Sequence, residues 1–564
     1  MTEQNNKKDK IIAIGCVAAL LAACSFLLLL PGTMRSDDTM FHVIRLESLV
    51  EAIKMGDWAP HIFPYVYQNF GYAISLFYSD FFLYIPAVLC LLGVNSLTAY
   101  DLFFVLIMAA SAFAAYYSTW RMFKSRIGSL VTTLLYVGSA YMATDVFSRS
   151  ALGETQAFVF IPFALWGMYA AVLGDETRHW PLIVGFAGLV LSHNLSLMLT
   201  AVFFMFFLLF CVDKLIKQPK RILHIAYSAV FVAFSTAFFL FPMAEQLLKE
   251  TFFSSYHARI FSPSTAAVRL RNLFISTDIT PGAFFTPPVG ITILAVLLLR
   301  IAFGFKLPQT TRERFRDLCI LGGCFSLFMS TSFFPWGLFD PTLNIIQFPW
   351  RFHLFSTLFF AVAAGIMAQD LLKNKEKLRY AVWTVITVLC AIQFLSIAVP
   401  HYNQLAAKED IVTNTADFIM WDENYLHGNN NRALWREREQ HINEVRGVNS
   451  AVTAHQEVDY FVRTITYSEN KTDNALECAI IYFLGYEAVD VDTGEVLPVS
   501  PSANGWLQID IDTKQSGTIE VRYAGTAVQH IAPYITLAFF AVMTIWTLYA
   551  TKKRKYKGFG KNCG

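Results

Sequence analysis

Ser36-Asp37-Asp38-Thr39-Met40-Phe41-His42-Val43-Ile44-Arg45 follows directly on an apolar run from Ile11 to Leu30 and precedes a chain that is largely apolar again. This order decides the fold class. A run of about 20 apolar residues has the length of a membrane-spanning helix, and a carboxylate pair just after it marks where the chain meets water. Lys7-Lys8-Asp9-Lys10 in front of the run resembles the start of a secretory leader. The run exceeds the roughly 7–15 apolar residues of a leader, and no small-x-small cleavage site precedes Pro31, so it reads as a retained anchor. The acidic pair is either a solvated loop or the reactive centre of a lipid-facing enzyme.

The 564 residues are 55% hydrophobic and 15% charged, where soluble domains carry roughly 25% charge. The chain is therefore expected to be a polytopic membrane protein whose first partner is the lipid bilayer. A net charge of +2 gives no reason to expect nucleic acid, because the basic residues fall in short loops between apolar runs, where they report topology. Of nine cysteines, Cys16, Cys24, Cys90, Cys211 and Cys390 lie in apolar segments, and no spacing fits a disulfide framework or a metal site.

Apolar stretches of spanning length recur at about 11–30, 100–120, 127–145, 155–173, 180–193, 195–213, 221–241, 286–305, 317–333, 350–370, 377–398 and 530–550, with an ambiguous run at 73–92. The expected fold is an α-helical membrane protein of about 12 to 13 spans. Basic loops around Lys8, Arg121, Lys214, Arg314, Lys375 and Lys553 all fall on the cytoplasmic side if 73–92 makes no net crossing and 180–193 and 195–213 form a hairpin turning at His193-Asn194. Both termini are then cytoplasmic. The first loop 31–73, the turn Arg149 to Glu154, the loop 243–285 and the polar region 400–529 are outside. The domain expectation is a transmembrane region 1–399, an extracytoplasmic domain 400–529, a last span 530–550 and a basic cytoplasmic tail 551–564.

Residues 39–55 alternate polar and apolar at helical spacing and predict an interfacial amphipathic helix with Asp38 or Ser36 as its N-cap. Strand-like alternation in Tyr460–Tyr467, Glu477–Tyr486, Trp506–Asp512 and Thr518–Tyr523, with turns at Asp492-Thr493-Gly494, Ala503-Asn504-Gly505 and Gln515-Ser516-Gly517, predicts a small β domain, in form a sandwich. Asn470-Lys471-Thr472 matches a glycosylation triplet, a weak signal by itself.

Charge at membrane depth costs roughly 2.5–3.5 kcal/mol for Arg or Asp at a helix centre, so each such residue is a site candidate. The candidates are Asp37, Asp38, His42, Arg45, Arg149, Glu154, His193, Asn194, Gln347 and Arg351. Each has a bland alternative: Asp38 as a cap, Arg149 to Glu154 as a polar turn, His193 as a hydrogen-bonded structural histidine, Arg351 as a snorkelling arginine beside Trp350. In Gln347-Phe348-Pro349-Trp350-Arg351 the proline suits a first helical turn, which puts Arg351 where free N–H groups favour an anion, and a guanidinium there suits phosphate. Arg259, Arg269 and Arg271 add generic phosphate-binding potential. No Walker loop, G-x-G-x-x-G, H-E-x-x-H or nucleophile elbow is present, so cytoplasmic nucleotide hydrolysis is not expected.

The acidic pair after the first span, the interfacial helix, the Arg149 to Glu154 motif and about a dozen spans resemble the GT-C superfamily of membrane glycosyltransferases, which use polyprenyl-phosphate sugars. More closely, Asp38-x-x-Phe41-His42-x-x-Arg45, Gly71-Tyr72 before Phe77-Tyr78, Arg149 to Glu154, Ser192-His193-Asn194 and Gln347 to Arg351 resemble the bacterial membrane family labelled 6-pyruvoyl-tetrahydropterin synthase-related. That label is not an activity, since no histidine triad of a zinc pterin synthase is visible. The resemblance implies Asp37 or Asp38 as the base that deprotonates an acceptor, Glu154 as a second carboxylate, and Arg351 on the donor phosphate. His42, Arg45, Arg149, His193, Asn194 and Gln347 would line the substrate. It does not fix a cofactor; if a divalent cation is used, Asp38 and Glu154 would hold it. Its partners would be a polyprenyl-phosphate-linked sugar and an envelope acceptor. Tyr78-Ser79-Asp80-Phe81 departs from the lysine or histidine-proline signatures of many GT-C enzymes, so donor contacts are not carried onto it. The alternatives are a transporter or flippase-like protein for a lipid-linked intermediate, or a non-catalytic envelope scaffold.

Overall fold

The computed structural model describes residues 3–253, 262–275, 286–302, 308–420, 422–428, 435–472 and 474–559. Arg259 and residues 560–564 of the basic tail lie outside the described residues. The chain packs as two units. The first comprises Met1–Glu51, Asp80–Ser228 and His257–Trp421, and the second Ala52–Ser79, Ala229–Tyr256 and Asp422–Gly564.

Among the described residues, seven helices are long and apolar enough to cross a membrane: Lys7–Leu29, Ser96–Phe123, Arg126–Ser148, Leu152–Val172, Pro349–Leu372, Glu376–Ala407 and Ala527–Tyr549. Lys220–Ser235 and Ala237–Lys249 make an eighth if a pair bent by 84° counts as one span. Of the 12 to 13 expected, seven or eight have spanning length and apolar composition among the described residues, and the other runs fall short by length or charge. Trp180–Val190 has 11 residues and Asn194–Phe210 has 17, which at 1.5 Å per residue reach about 16 and 26 Å, short of a hydrocarbon core of about 30 Å. Thr311–Ser330 opens with Arg312, Glu313, Arg314, Arg316 and Asp317, which leaves too little apolar length behind them. The run 73–92 breaks into Ile74–Phe77, Phe81–Leu83 and Tyr84–Leu91, none of spanning length.

In the first unit, helices 126–148, 152–172 and 349–372 are almost wholly buried, and glycines let them touch. Gly128 and Gly365 face each other so closely that a Cβ on either would lie 2.7 or 2.5 Å from the other's carbonyl oxygen. The expected amphipathic helix is present as Thr39–Lys54. Its entry is closed by Thr39, whose hydroxyl donates to Met34 O and accepts from Ser36 N, while the Asp38 carbonyl accepts from His42 N at 3.1 Å. Strand β1 (Thr33–Met34) pairs antiparallel with β2 (Ile411–Val412). This pairing, and a helix that continues past Pro400 to Ala407, place residues 400–420 with the first unit rather than at the head of a separate domain.

The second unit holds the β-rich C-terminal region. β3 (Val445–Gly447), β6 (Asn474–Ile481), β10 (Trp506–Asp512) and β9 (Val499–Pro501) form one antiparallel sheet in the order β3-β6-β10-β9. β4 (Thr453–Val458), β5 (Arg463–Ser468), β11 (Gly517–Tyr523), β7 (Tyr486–Asp490) and β8 (Val496–Leu497) form the other, in the order β4-β5-β11-β7-β8. Ile465 and Val521 from one sheet and Leu476, Cys478 and Ile509 from the other share a single buried core, the arrangement of a sandwich. The expected turn at Ala503-Asn504-Gly505 is made with Gly505 at φ +74°, which a side chain would resist. Asn470 is buried and donates to the carbonyls of Asp512 and Lys514, so the glycosylation triplet is closed in the folded domain. The last helix, Ala527–Phe559, exposes Ile531, Leu537, Phe540, Ile545 and Trp546, as a lipid-facing span would.

Candidate functional site

Arg149 follows a turn of π-helix, Thr144–Ser148, that ends the span beginning at Arg126. The wider winding closes through Arg149 N to Thr144 O at 2.9 Å. Such turns recur at functional positions because they leave carbonyls without helical partners. Ser150, at φ +53°, reverses the chain into helix Leu152–Val172, which carries Glu154 in its first turn.

One guanidinium nitrogen, Arg149 Nη1, donates to Asp145 Oδ1 and to Glu154 Oε2, each at 2.7 Å. Glu154 Oε1 accepts from Tyr141 OH at 2.6 Å, and Arg351 Nε stands 3.5 Å from Glu154 Oε2. Arg351 reaches this point because Pro349 opens a tight helical turn before helix His353–Leu372, as the sequence predicts. Its Nη1 donates to Ile346 O and Gln347 Oε1 at 2.9 and 3.0 Å, and Gln347 adopts φ +59° to present that amide. All of these charged groups are buried.

The acidic loop docks on the same turn. Ser36 Oγ donates to Phe147 O at 2.5 Å and Asp38 N to Arg149 O at 2.8 Å. Asp37 is exposed and Asp38 half-buried. Burial nevertheless pushes both carboxyls up, Asp38 to about 6, against the pull of Arg149. Arg351 and Glu154 both act electrostatically on Asp38, so the acidic loop, the turn and the 349–372 helix converge.

His193 precedes helix Asn194–Phe210, with Nδ1 2.8 Å from Ser196 Oγ. Burial lowers it to about 4, against the field of Glu154, so it is a neutral imidazole at neutral pH. Asn194 is half-buried at the start of that helix. His42 is neutral too, lowered by burial and then by Arg45 and His193.

Asp37, Asp38, Arg149, Glu154, His193, Gln347 and Arg351 are thus brought together. Arg45 is set apart: it pairs with Asp80 at 2.5 Å, its Nη1 lies 3.3 Å from His42 Nδ1, and both partners of the ion pair are buried. That arginine is spoken for by a carboxylate 35 residues away, a partner that local spacing does not reveal. Sequence reasoning also missed Asp145 and Tyr141, which sit inside a stretch taken as plain span. The signal was a carboxylate four residues before Arg149 in an apolar run.

A divalent cation does not fit the pair Asp38 and Glu154. Both Glu154 oxygens are engaged by Tyr141 and the two arginines, and among the described residues no three His, Cys, Asp or Glu side chains group as ligands. A hard cation needs several oxygen donors free of competing cations.

The fold and this cluster define the class: a multi-pass helical membrane protein with a β-rich C-terminal region and a buried, multiply charged centre. No family model matches the chain. It is similar to a protein of Lactococcus lactis subsp. cremoris (strain MG1363), described only as an "Uncharacterized protein", at 26% identity over 219 residues. The match covers 37% of this chain and 36% of that protein.

Proposed function

We propose that the protein is a membrane glycosyltransferase of the GT-C type, akin to the family labelled 6-pyruvoyl-tetrahydropterin synthase-related, that moves a sugar from a polyprenyl-phosphate donor to a cell-envelope glycan or lipid acceptor. The observation that carries this reading is the placement of two reachable carboxylates, Asp37 and Asp38, beside two buried guanidiniums, Arg149 and Arg351. A sugar on lipid phosphate already has a good leaving group. The protein need only take a proton from the acceptor hydroxyl and stabilise negative charge on the departing phosphate.

Asp38 accepts the hydroxyl proton as the acceptor oxygen bonds to the anomeric carbon. The bond from that carbon to the phosphate oxygen breaks, and polyprenyl phosphate leaves toward Arg351. A carboxyl near 6 suits this role, because it is mostly ionised at neutral pH yet basic enough to take a proton. Glu154 holds Arg149 and Arg351 rather than exchanging protons, since both its oxygens are engaged. The full GT-C count of 12 to 13 spans, cytoplasmic termini and an extracytoplasmic 400–529 belong to this reading. In it, Trp180–Val190 and Asn194–Phe210 enter the membrane as a covered hairpin.

Purified protein in lipid nanodiscs, given polyprenyl-phosphate hexose and envelope glycan, should release polyprenyl phosphate. Asp38→Asn should lower that rate by about 10²-fold or more while donor binding persists. Undiminished transfer by Asp38→Asn removes Asp38 as the base, and passage of intact donor across a vesicle without transfer replaces the enzyme with a transporter.

A further inference from the structure

Asp145 has no role in the chemistry just described, yet it is completely buried at the end of a span, with Oδ1 on Arg149 and Oδ2 without a hydrogen-bond partner among the described residues. Arg149 shares Glu154 with Arg351, so Asp145 is the second carboxylate set against two guanidiniums. The turn that carries both residues also supplies the two carbonyls, Phe147 O and Arg149 O, on which the acidic loop is hung through Ser36 and Asp38. Tyr100 OH holds the far side of the turn, donating to Ser150 O at 3.1 Å.

We propose that Asp145 is a positioning residue: by clamping Arg149 it fixes the turn on which the acidic loop is mounted and sets the net charge that Asp38 faces. The groups around Asp38 are Asp37 on its own loop, His42 on the following helix, Arg149 at the turn, Glu154 on the 152–172 helix and Arg351 on the 349–372 helix. His401 approaches the loop at Ser36, 3.3 Å from its hydroxyl. Arg149 and Arg351 favour the Asp38 anion, while Asp37 and Glu154 oppose it. Asp145 tempers the stronger cation. Without it Arg149 acts less compensated on Asp38, the anion is favoured, and the carboxyl holds its proton less well. The inference concerns the same site as the transferase reading, but its test requires no transfer.

Dicyclohexylcarbodiimide labels protonated carboxyls in apolar surroundings, and mass spectrometry of the 36–45 peptide reports the fraction labelled against pH. In an Asp37→Asn background the label in this loop reports Asp38. Asp145→Asn is expected to move the labelling midpoint down by about one pH unit, and Asp145→Glu to restore it. If the asparagine variant does not fold, Asp145→Ser carries the same expectation. A midpoint unchanged in the Asn or Ser variant of a folded protein overturns the proposal. A downward shift in either variant supports it even if no sugar transfer is ever detected, and an upward shift overturns it.

Discussion

Two kinds of buried arginine site in the first unit differ in a way that separates packing from the proposed chemistry. Arg45 and Asp80 pair at 2.5 Å, both almost wholly buried, and the same is true of Arg379 and Asp9 at 2.6 Å. In each, one guanidinium is paired with one buried carboxylate. The Arg149 centre is overfilled: two guanidiniums share Glu154, one also holds Asp145, and two further carboxylates remain reachable beside them. A buried ion pair is weak evidence of stabilisation, because desolvation offsets its attraction. A buried pair of this kind is explained by packing, whereas a crowded cluster beside reachable carboxylates is where the proposed lipid-phosphate ligand would bind.

The largest expected effect follows from this crowding. Arg149→Ala strands Asp145 and Glu154 without their shared partner and should destabilise the protein by about 3–5 kcal/mol, measured by thermal unfolding in detergent. A loss below about 1 kcal/mol would break the contrast, because a cluster that tolerates this deletion is not held by its charges.

A smaller effect, of opposite sign, is expected at Asp38. The folded chain holds this proton up to about pH 6, while the unfolded chain loses it near 3.8. Folding therefore favours the protonated form, and ionisation costs stability that appears as pH rises through this window and is complete above it. Asp38→Asn should raise the melting temperature at pH 7.5 and leave it unchanged at pH 3. Destabilisation at pH 7.5 would return Asp38 to a structural role. The smallest effect is expected at the matched pair, where the double change Arg45→Met with Asp80→Leu should leave ligand binding and the pH profile as they are. A shifted profile would bring Arg45 into the site.

Much of the architecture was legible from residue pattern. The alternation in Trp506–Asp512 matches β10 in both bounds, and Thr518–Tyr523 matches β11 to within one residue. The amphipathic 39–55 stretch is a helix from Thr39 to Lys54. The number of crossings was not legible, because apolar composition does not reveal where a helix stops. The run 221–241 reads as continuous and yet bends by 84° at Thr236. At the site, the rule that charge in apolar surroundings has a purpose found Arg149, Glu154 and Arg351. It could not foresee that Asp80 would claim Arg45, since that pairing is made only when distant segments pack, and it passed over Asp145 for lying within a span.

The comparison is tested most directly by polyprenyl phosphate binding, read by native mass spectrometry on protein released from nanodiscs, for the wild type, Arg351→Gln and the Arg45→Met, Asp80→Leu double variant. The crowded centre as lipid-phosphate site predicts a loss of about tenfold or more in Arg351→Gln, the order of one charge-assisted contact, and none in the double variant. Equal binding by all three proteins would contradict it.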